Sequence, residues 1–152
     1  MTRSDARELA VHLIYSQTFT LQPSEQLIAD RLQEEYYKLL GQENDVYKDR
    51  PDKRQVAYMH RVVAGVCDEV EKLNAEISKY SIGWDVSRIS RLARSVMQLA
   101  IYEILYVEDV PTGVAVSEAV RIAKKYDGDD TGSFVNGILG SFARSLTAEE
   151  VK

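Results

Sequence analysis

The sequence is short of the residues that covalent stapling and most chemistry require. One cysteine among 152 residues leaves no internal disulfide and no cysteine-cluster metal site. Two histidines, His12 and His60, stand far apart, and neither has a cysteine or carboxylate at metal-ligand spacing. Three prolines and eight glycines are too few for a collagenous or wholly disordered chain. No apolar run approaches the roughly 18 residues of a membrane span. The polar start, Met1-Thr2-Arg3-Ser4-Asp5, runs straight into a helical pattern and does not resemble a signal peptide. The expectation is a soluble, cytoplasmic protein with no membrane association. A strong excess of one charge is lacking too: 19 basic against 24 acidic side chains give a net charge of −5. That balance disfavours gripping a polyanion by bulk charge alone.

What is present is helical periodicity from end to end. Ala6, Leu9, Ala10, Leu13 and Ile14 share one face of a helix expected over 4–18, with Ser4 as its N-cap. A second helix is expected over 23–40, with Leu27, Ile28, Leu32, Tyr36, Leu39 and Leu40 inward and Gly41 as its stop. Residues 41–54 read as the one long polar loop. The longest stripe, Met59, Val63, Val66, Val70, Leu73, Ile77 and Tyr80, predicts a helix over 52–78. A short turn at 85–89 leads to helices over 90–107, 112–126 and 132–146, with a turn at 127–131 and a frayed tail at 148–152. This is an all-α single domain of six to seven helices, with helical halves at about 1–80 and 81–147. Val63, Val66, Val70, Leu73, Leu99 and Val120 are the expected core.

The charges are unevenly spread. Residues 19–52 carry eight acids against the four bases Arg31, Lys38, Lys48 and Arg50. Residues 79–102 carry Lys79, Arg88, Arg91 and Arg94 against Asp85 alone. The i, i+3, i+6 spacing of those arginines places them along one side of a helix. A solvated face, a protein rim and an RNA track are all compatible with it.

No catalytic constellation emerges. His12 and His60 read as residues at the edge of the core, and Cys67, beside Val66, as a buried apolar thiol. Asp127, Asp129 and Asp130 lack the alternating ligand pattern and closing glutamate of a calcium loop. Glycines 128, 132, 137 and 140 lack the preceding strand and the lysine–hydroxyl pair of a phosphate-cradling loop. The expectation is a non-enzyme without cofactor or metal.

Three segments carry a more specific pattern. Ala6-Arg7-Glu8-Leu9-Ala10 leads to Tyr15. Leu99-Ala100-Ile101-Tyr102-Glu103-Ile104-Leu105 precedes Asp109-Val110-Pro111. Val114-Ala115-Val116-Ser117-Glu118-Ala119-Val120 is followed by Ala123-Lys124-Lys125-Tyr126 and Phe134-Val135-Asn136-Gly137-Ile138-Leu139. In this order the segments resemble the NusB family of bacterial transcription antitermination factors, over nearly the whole chain and most strongly over 99–139.

The resemblance implies two packed helical subdomains, no catalytic activity, and binding of the boxA element of nascent ribosomal RNA. It implies a NusE-type small-subunit ribosomal protein as partner, within an RNA polymerase antitermination complex. Some family members are dimers that cover the RNA surface, and the resemblance leaves a homodimer open. The alternative function is a helical protein-interaction module that keeps the fold with little RNA binding of its own.

The expected RNA-binding residues are Arg3, Arg7, Lys124, Lys125, Tyr126 and Phe134. Unpaired bases stack on aromatic faces and phosphates meet lysines. The resemblance implies aromatics at the Tyr126 and Phe134 positions in the RNA site. Read from the residues alone, these two rings are either stacking platforms or caps of the core. Asn136 could serve the preceding turn, and Gly137 could permit close helix packing. The N-terminal arm departs from the family's arginine run, keeping only Arg3 and Arg7 with Asp5 between them. Two fewer phosphate contacts lower the salt dependence of binding by about two slope units.

Overall fold

Thr2, rather than Ser4, opens the first helix: its hydroxyl accepts the backbone N–H of Asp5 at 3.1 Å, satisfying one orphan donor of the first turn. In the computed structural model this helix, α1, spans Arg3–Gln17. The structure describes residues 1–83 and 89–151, the side chains of 148–151 excepted. Among the described residues there are eight α-helices, one 3-10 turn and no strand, so the all-α expectation holds. The chain divides into two compact units, Met1–Asp68 and Glu69–Lys152.

In the first unit α1 packs on α4 (Lys53–Asp68), and α2 (Ser24–Arg31) contacts both. The 3-10 turn Asp45–Tyr47 packs on α3 (Glu34–Glu43) and on α1. The single helix expected over 23–40 is therefore two. The chain leaves the helix at Leu32, turns extended at Gln33, and restarts with the Gln33 Oε1 accepting the Tyr36 N–H at 2.9 Å. Restarting resets the helical phase. Tyr37 takes the inward position, while Tyr36 and Leu39, expected inside, are exposed.

Gly41 does not stop α3. Its role is close approach, because a Cβ there would lie 3.0 Å from the Tyr47 carbonyl oxygen. The polar segment after it is tied down from within. Val46 and Tyr47 are buried. The Tyr47 hydroxyl meets His12 Nδ1 at 2.8 Å and accepts from Arg31 Nη1 at 2.9 Å. Arg31 also donates to Ser16 Oγ at 2.8 Å. The Tyr37 hydroxyl donates to the Asp49 carbonyl at 2.7 Å, and burial pushes its pKa up to about 12.

In the second unit α5 (Val70–Lys79) packs on α6 (Arg91–Tyr106). α8 (Asp129–Val151) runs against α7 (Thr112–Asp127), and both contact α6. The helix expected over 52–78 is interrupted at Glu69, whose φ of −106° and ψ of 13° lie outside the helical range. The units divide there, earlier than the expected boundary near residue 80. Val63, Val66, Leu73 and Leu99 are buried, but Val70 beside the break is 36% exposed and Val120 is partly exposed.

Cys67 is exposed, not buried. Val66 occupies the inward position, and a step of about 100° per residue carries its neighbour to the outer face. The turn expected at 85–89 lies, except for Ile89, outside the described residues. The turn expected at 127–131 reduces to Gly128, and α8 is longer at both ends than the expected 132–146. Asp129 and Asp130 suit its first turn, where a helix end carries positive partial charge. Among the described residues no helix is long and apolar enough to cross a membrane.

Candidate nucleic-acid interface

α7 ends in Lys124-Lys125-Tyr126-Asp127, and one residue turns the chain into α8. Gly128 has φ +91° and ψ 176°, a region essentially confined to glycine. Its N–H donates to the Lys124 carbonyl at 3.1 Å. Asp127 braces the corner. Its Oδ2 accepts from Ser90 Oγ at 2.6 Å, and its carbonyl accepts from Thr131 Oγ1 at 3.4 Å. Ser90 is at the same time the N-cap of α6, accepting the Ala93 N–H at 3.0 Å. One serine thus ties the start of α6 to the end of α7.

The lysines are placed by this corner. The stem of Lys124 lies across Gly132, where a Cβ would collide with Lys124 Cγ. Lys125 Nζ stands 5.4 Å from the Tyr126 ring centroid, within cation–π range. Both lysines are exposed, and Tyr126 and Phe134 are partly exposed. Neither ring is a fully buried core cap. The arrangement offers two cations and two partly exposed aromatic rings around a one-residue helical corner, rather than around the longer polar turn at 127–131 that the composition suggests.

Arg3 and Arg7 belong to the first unit and converge on Tyr58. The Arg3 guanidinium lies 4.2 Å from that ring centroid, and its Nε donates to Gln55 Oε1 at 2.7 Å. Arg7 is 4% exposed, 5.9 Å from the same centroid. Arg7 is thus packed against the protein in this structure instead of presented to solvent. The six expected residues therefore form two groups, Arg3 with Arg7 on one unit and Lys124, Lys125, Tyr126 and Phe134 on the other.

Several positions at this corner carry little signal in the sequence. Gly137 was expected to permit close packing, yet a Cβ there would meet nothing within 4 Å, and Asn136 beside it is exposed. Packing does not account for that glycine. Ser90, Asp127 and Gly132 shape the corner, and no motif marks them. Of the arginine strip, Arg88 lies outside the described residues, Arg91 is exposed and Arg94 partly exposed. Among the described residues no three His, Cys, Asp or Glu side chains gather as metal ligands would.

Comparison with known proteins gives one consistent result. Residues 4–144 match the NusB family. The transcription antitermination protein NusB of Acetivibrio thermocellus is 40% identical over 144 residues, covering 95% of this chain and 90% of the relative. That of Symbiobacterium thermophilum is 35% identical over 146 residues, covering 96% and 92%. Among solved structures, T. maritima NusB superposes with a TM-score of 0.76 at 29% identity, over 95% of this chain and 92% of that one. A crystal structure of antitermination factors NusB and NusE in complex with double-stranded RNA has the same fold. Its TM-score is 0.72 at 21% identity, over 94% of this chain and 96% of that one.

Proposed function

The chain belongs to the NusB family of transcription antitermination proteins, and on that premise we propose that it is a cytoplasmic, non-enzymatic factor that binds boxA-type single-stranded RNA together with a NusE-type ribosomal protein. In this reading it acts within the polymerase antitermination complex on ribosomal RNA operons. The observation that carries the RNA surface is the α7–α8 corner. There the exposed Lys124 and Lys125 flank the partly exposed rings of Tyr126 and Phe134. Cations meet phosphates, and each accessible ring offers a stacking face to an unpaired base. A structure of the same fold was solved with NusE and double-stranded RNA, which supports RNA and a NusE-type protein as the pair of partners; the single-stranded form rests on the accessible rings.

A second reading has its own support. Arg7 is buried and Arg3 is engaged with Gln55 and Tyr58, so the N-terminal arm contributes little free positive charge. The chain as a whole is acidic, at −5. Those facts support a protein-interaction module with weak RNA binding of its own. A salt titration of binding to a short boxA RNA, with and without the ribosomal protein, separates the two readings. An RNA-binding factor gives saturable binding that tightens when the partner is added, and log K falls linearly with log salt. Absence of RNA binding in both arms, while the ribosomal protein still binds, leaves only the protein-interaction module.

A further inference from the structure

α8 continues away from the corner, and one face of it is built unlike the rest. Phe134, Gly137, Ser141 and Arg144 follow one another at spacings of three, four and three, so they stand in a row along that face. The packed side of the helix is another one, where Val135, Ile138, Leu139 and Phe142 are buried. Gly137 is exposed, and a Cβ there would meet nothing within 4 Å. Glycine is unfavourable inside a helix, and neither close packing nor a positive φ calls for it here. What the position provides is bare helix backbone open to solvent. Two turns on, the exposed Arg144 folds back toward it. Its Nη2 donates to Ser141 Oγ at 3.2 Å, and its Nη1 would lie 3.2 Å from a Cβ at Gly140. Among the described residues no carboxylate pairs with Arg144.

We propose that Arg144 contacts a phosphate of bound RNA, reached by a single strand that leaves the Phe134 ring and crosses the bare backbone at Gly137. The proposal rests on the reading of the α7–α8 corner as an RNA surface and extends that surface along α8 by about 15 Å, at 1.5 Å per residue from 134 to 144. The row suits a sugar–phosphate backbone. A side chain at 137 would stand between the ring and the guanidinium; without one, a strand can lie against the helix. Ser141 takes one donor of the guanidinium and fixes its direction, which leaves others for phosphate oxygens. The charges on this face give it a polarity. Asp130 lies one turn before Phe134 and is exposed, so a phosphate is repelled at that end and attracted at the Arg144 end.

The test is a salt titration of the full chain against a boxA RNA with flanking nucleotides on both sides, repeated with the RNA shortened from each end. Arg144→Gln should weaken binding about fivefold and make the salt slope shallower by about 0.7 unit, the share of one phosphate on a single strand. Arg144→Lys should restore most of the slope. Shortening the RNA from one end should abolish the difference between the parent and Arg144→Gln, while the loss caused by Phe134→Ala persists. Gly137→Gln should raise the melting temperature, glutamine being the better helix former, yet weaken RNA binding about fivefold by obstructing the strand. Higher stability with unchanged binding in Gly137→Gln, or an unchanged slope in Arg144→Gln, overturns the proposal. So does a loss, in both variants, of binding to the NusE-type ribosomal protein measured without RNA, which would make this face a protein surface. A parent chain that binds no RNA sinks the reading of the corner and this one with it. A parent that binds, is weakened by Phe134→Ala and is indifferent to both Gly137→Gln and Arg144→Gln keeps the corner and loses only its extension.

Discussion

The stem of Lys124 lies across Gly132 so closely that a Cβ at residue 132 would overlap its Cγ. The last turn of α7 therefore aims its lysine over the first turns of α8, and a glycine with helical backbone angles makes room for it. Gly132→Ala should retain the fold, since alanine favours a helix interior over glycine by about 1 kcal/mol. It should displace Lys124 and make the salt dependence of RNA binding shallower by up to about one slope unit. Unchanged affinity and slope would show that the position of Lys124 does not matter for RNA.

Phe134 and Lys125 should separate stacking from charge. Phe134→Ala should weaken boxA RNA binding by about 1–3 kcal/mol with the salt slope unchanged, because stacking releases no counterions. Lys125→Gln should lower the slope by about one unit. Thermal melts must accompany both titrations. A Phe134→Ala variant that melts early yet binds RNA normally when folded would make the ring a packing residue.

Arg7 now carries a different expectation from Lys125. At 4% exposure, with its guanidinium near Tyr58, it contributes packing and a desolvated charge. Arg7→Ala should lower unfolding stability by about 1–3 kcal/mol through the groups it leaves uncovered, and leave the salt slope of RNA binding nearly unchanged. Denaturant unfolding alongside the RNA titration measures both. An altered slope at full stability would return Arg7 to the RNA surface.

Tyr37 predicts an alkaline limit. Burial raises its pKa from 10 to about 12, so the folded state holds the phenolic proton more tightly than the unfolded chain. The resulting stability is complete below pH 10 and is lost as pH rises through the interval up to about 12. Melting temperatures measured from pH 9 to 12 should fall less steeply in Tyr37→Phe than in the parent. Parallel curves would mean that the hydroxyl does not couple to folding.

Class of fold and family were both readable in the order of residues. Apolar spacings such as Val63/Val66 and Ala119/Ala123 are local and repeat at the helical period, and Ser90 caps α6 where a start was expected. The elements misread were those whose ends depend on a single residue. At Gln33 and Glu69 the apolar pattern runs on across a residue with non-helical backbone angles, so two helices look like one. At Gly128 the reverse holds: a polar, turn-rich composition hides the first turn of α8.

The chain's own order of residues determined that it is helical, where its apolar stripes lie, and which aromatics and lysines stand near each other around residue 128. Tertiary structure alone decided which charges are solvated. Arg7, Glu8 and Glu103 are buried and Cys67 is exposed, against what their side-chain chemistry predicts. It also gathered Lys38, Lys48 and Arg50 from an acidic segment into one cleft. The reason is physical. Helical periodicity is written in spacings of three and four residues, whereas burial of a charge and convergence of cations depend on groups far apart in the chain.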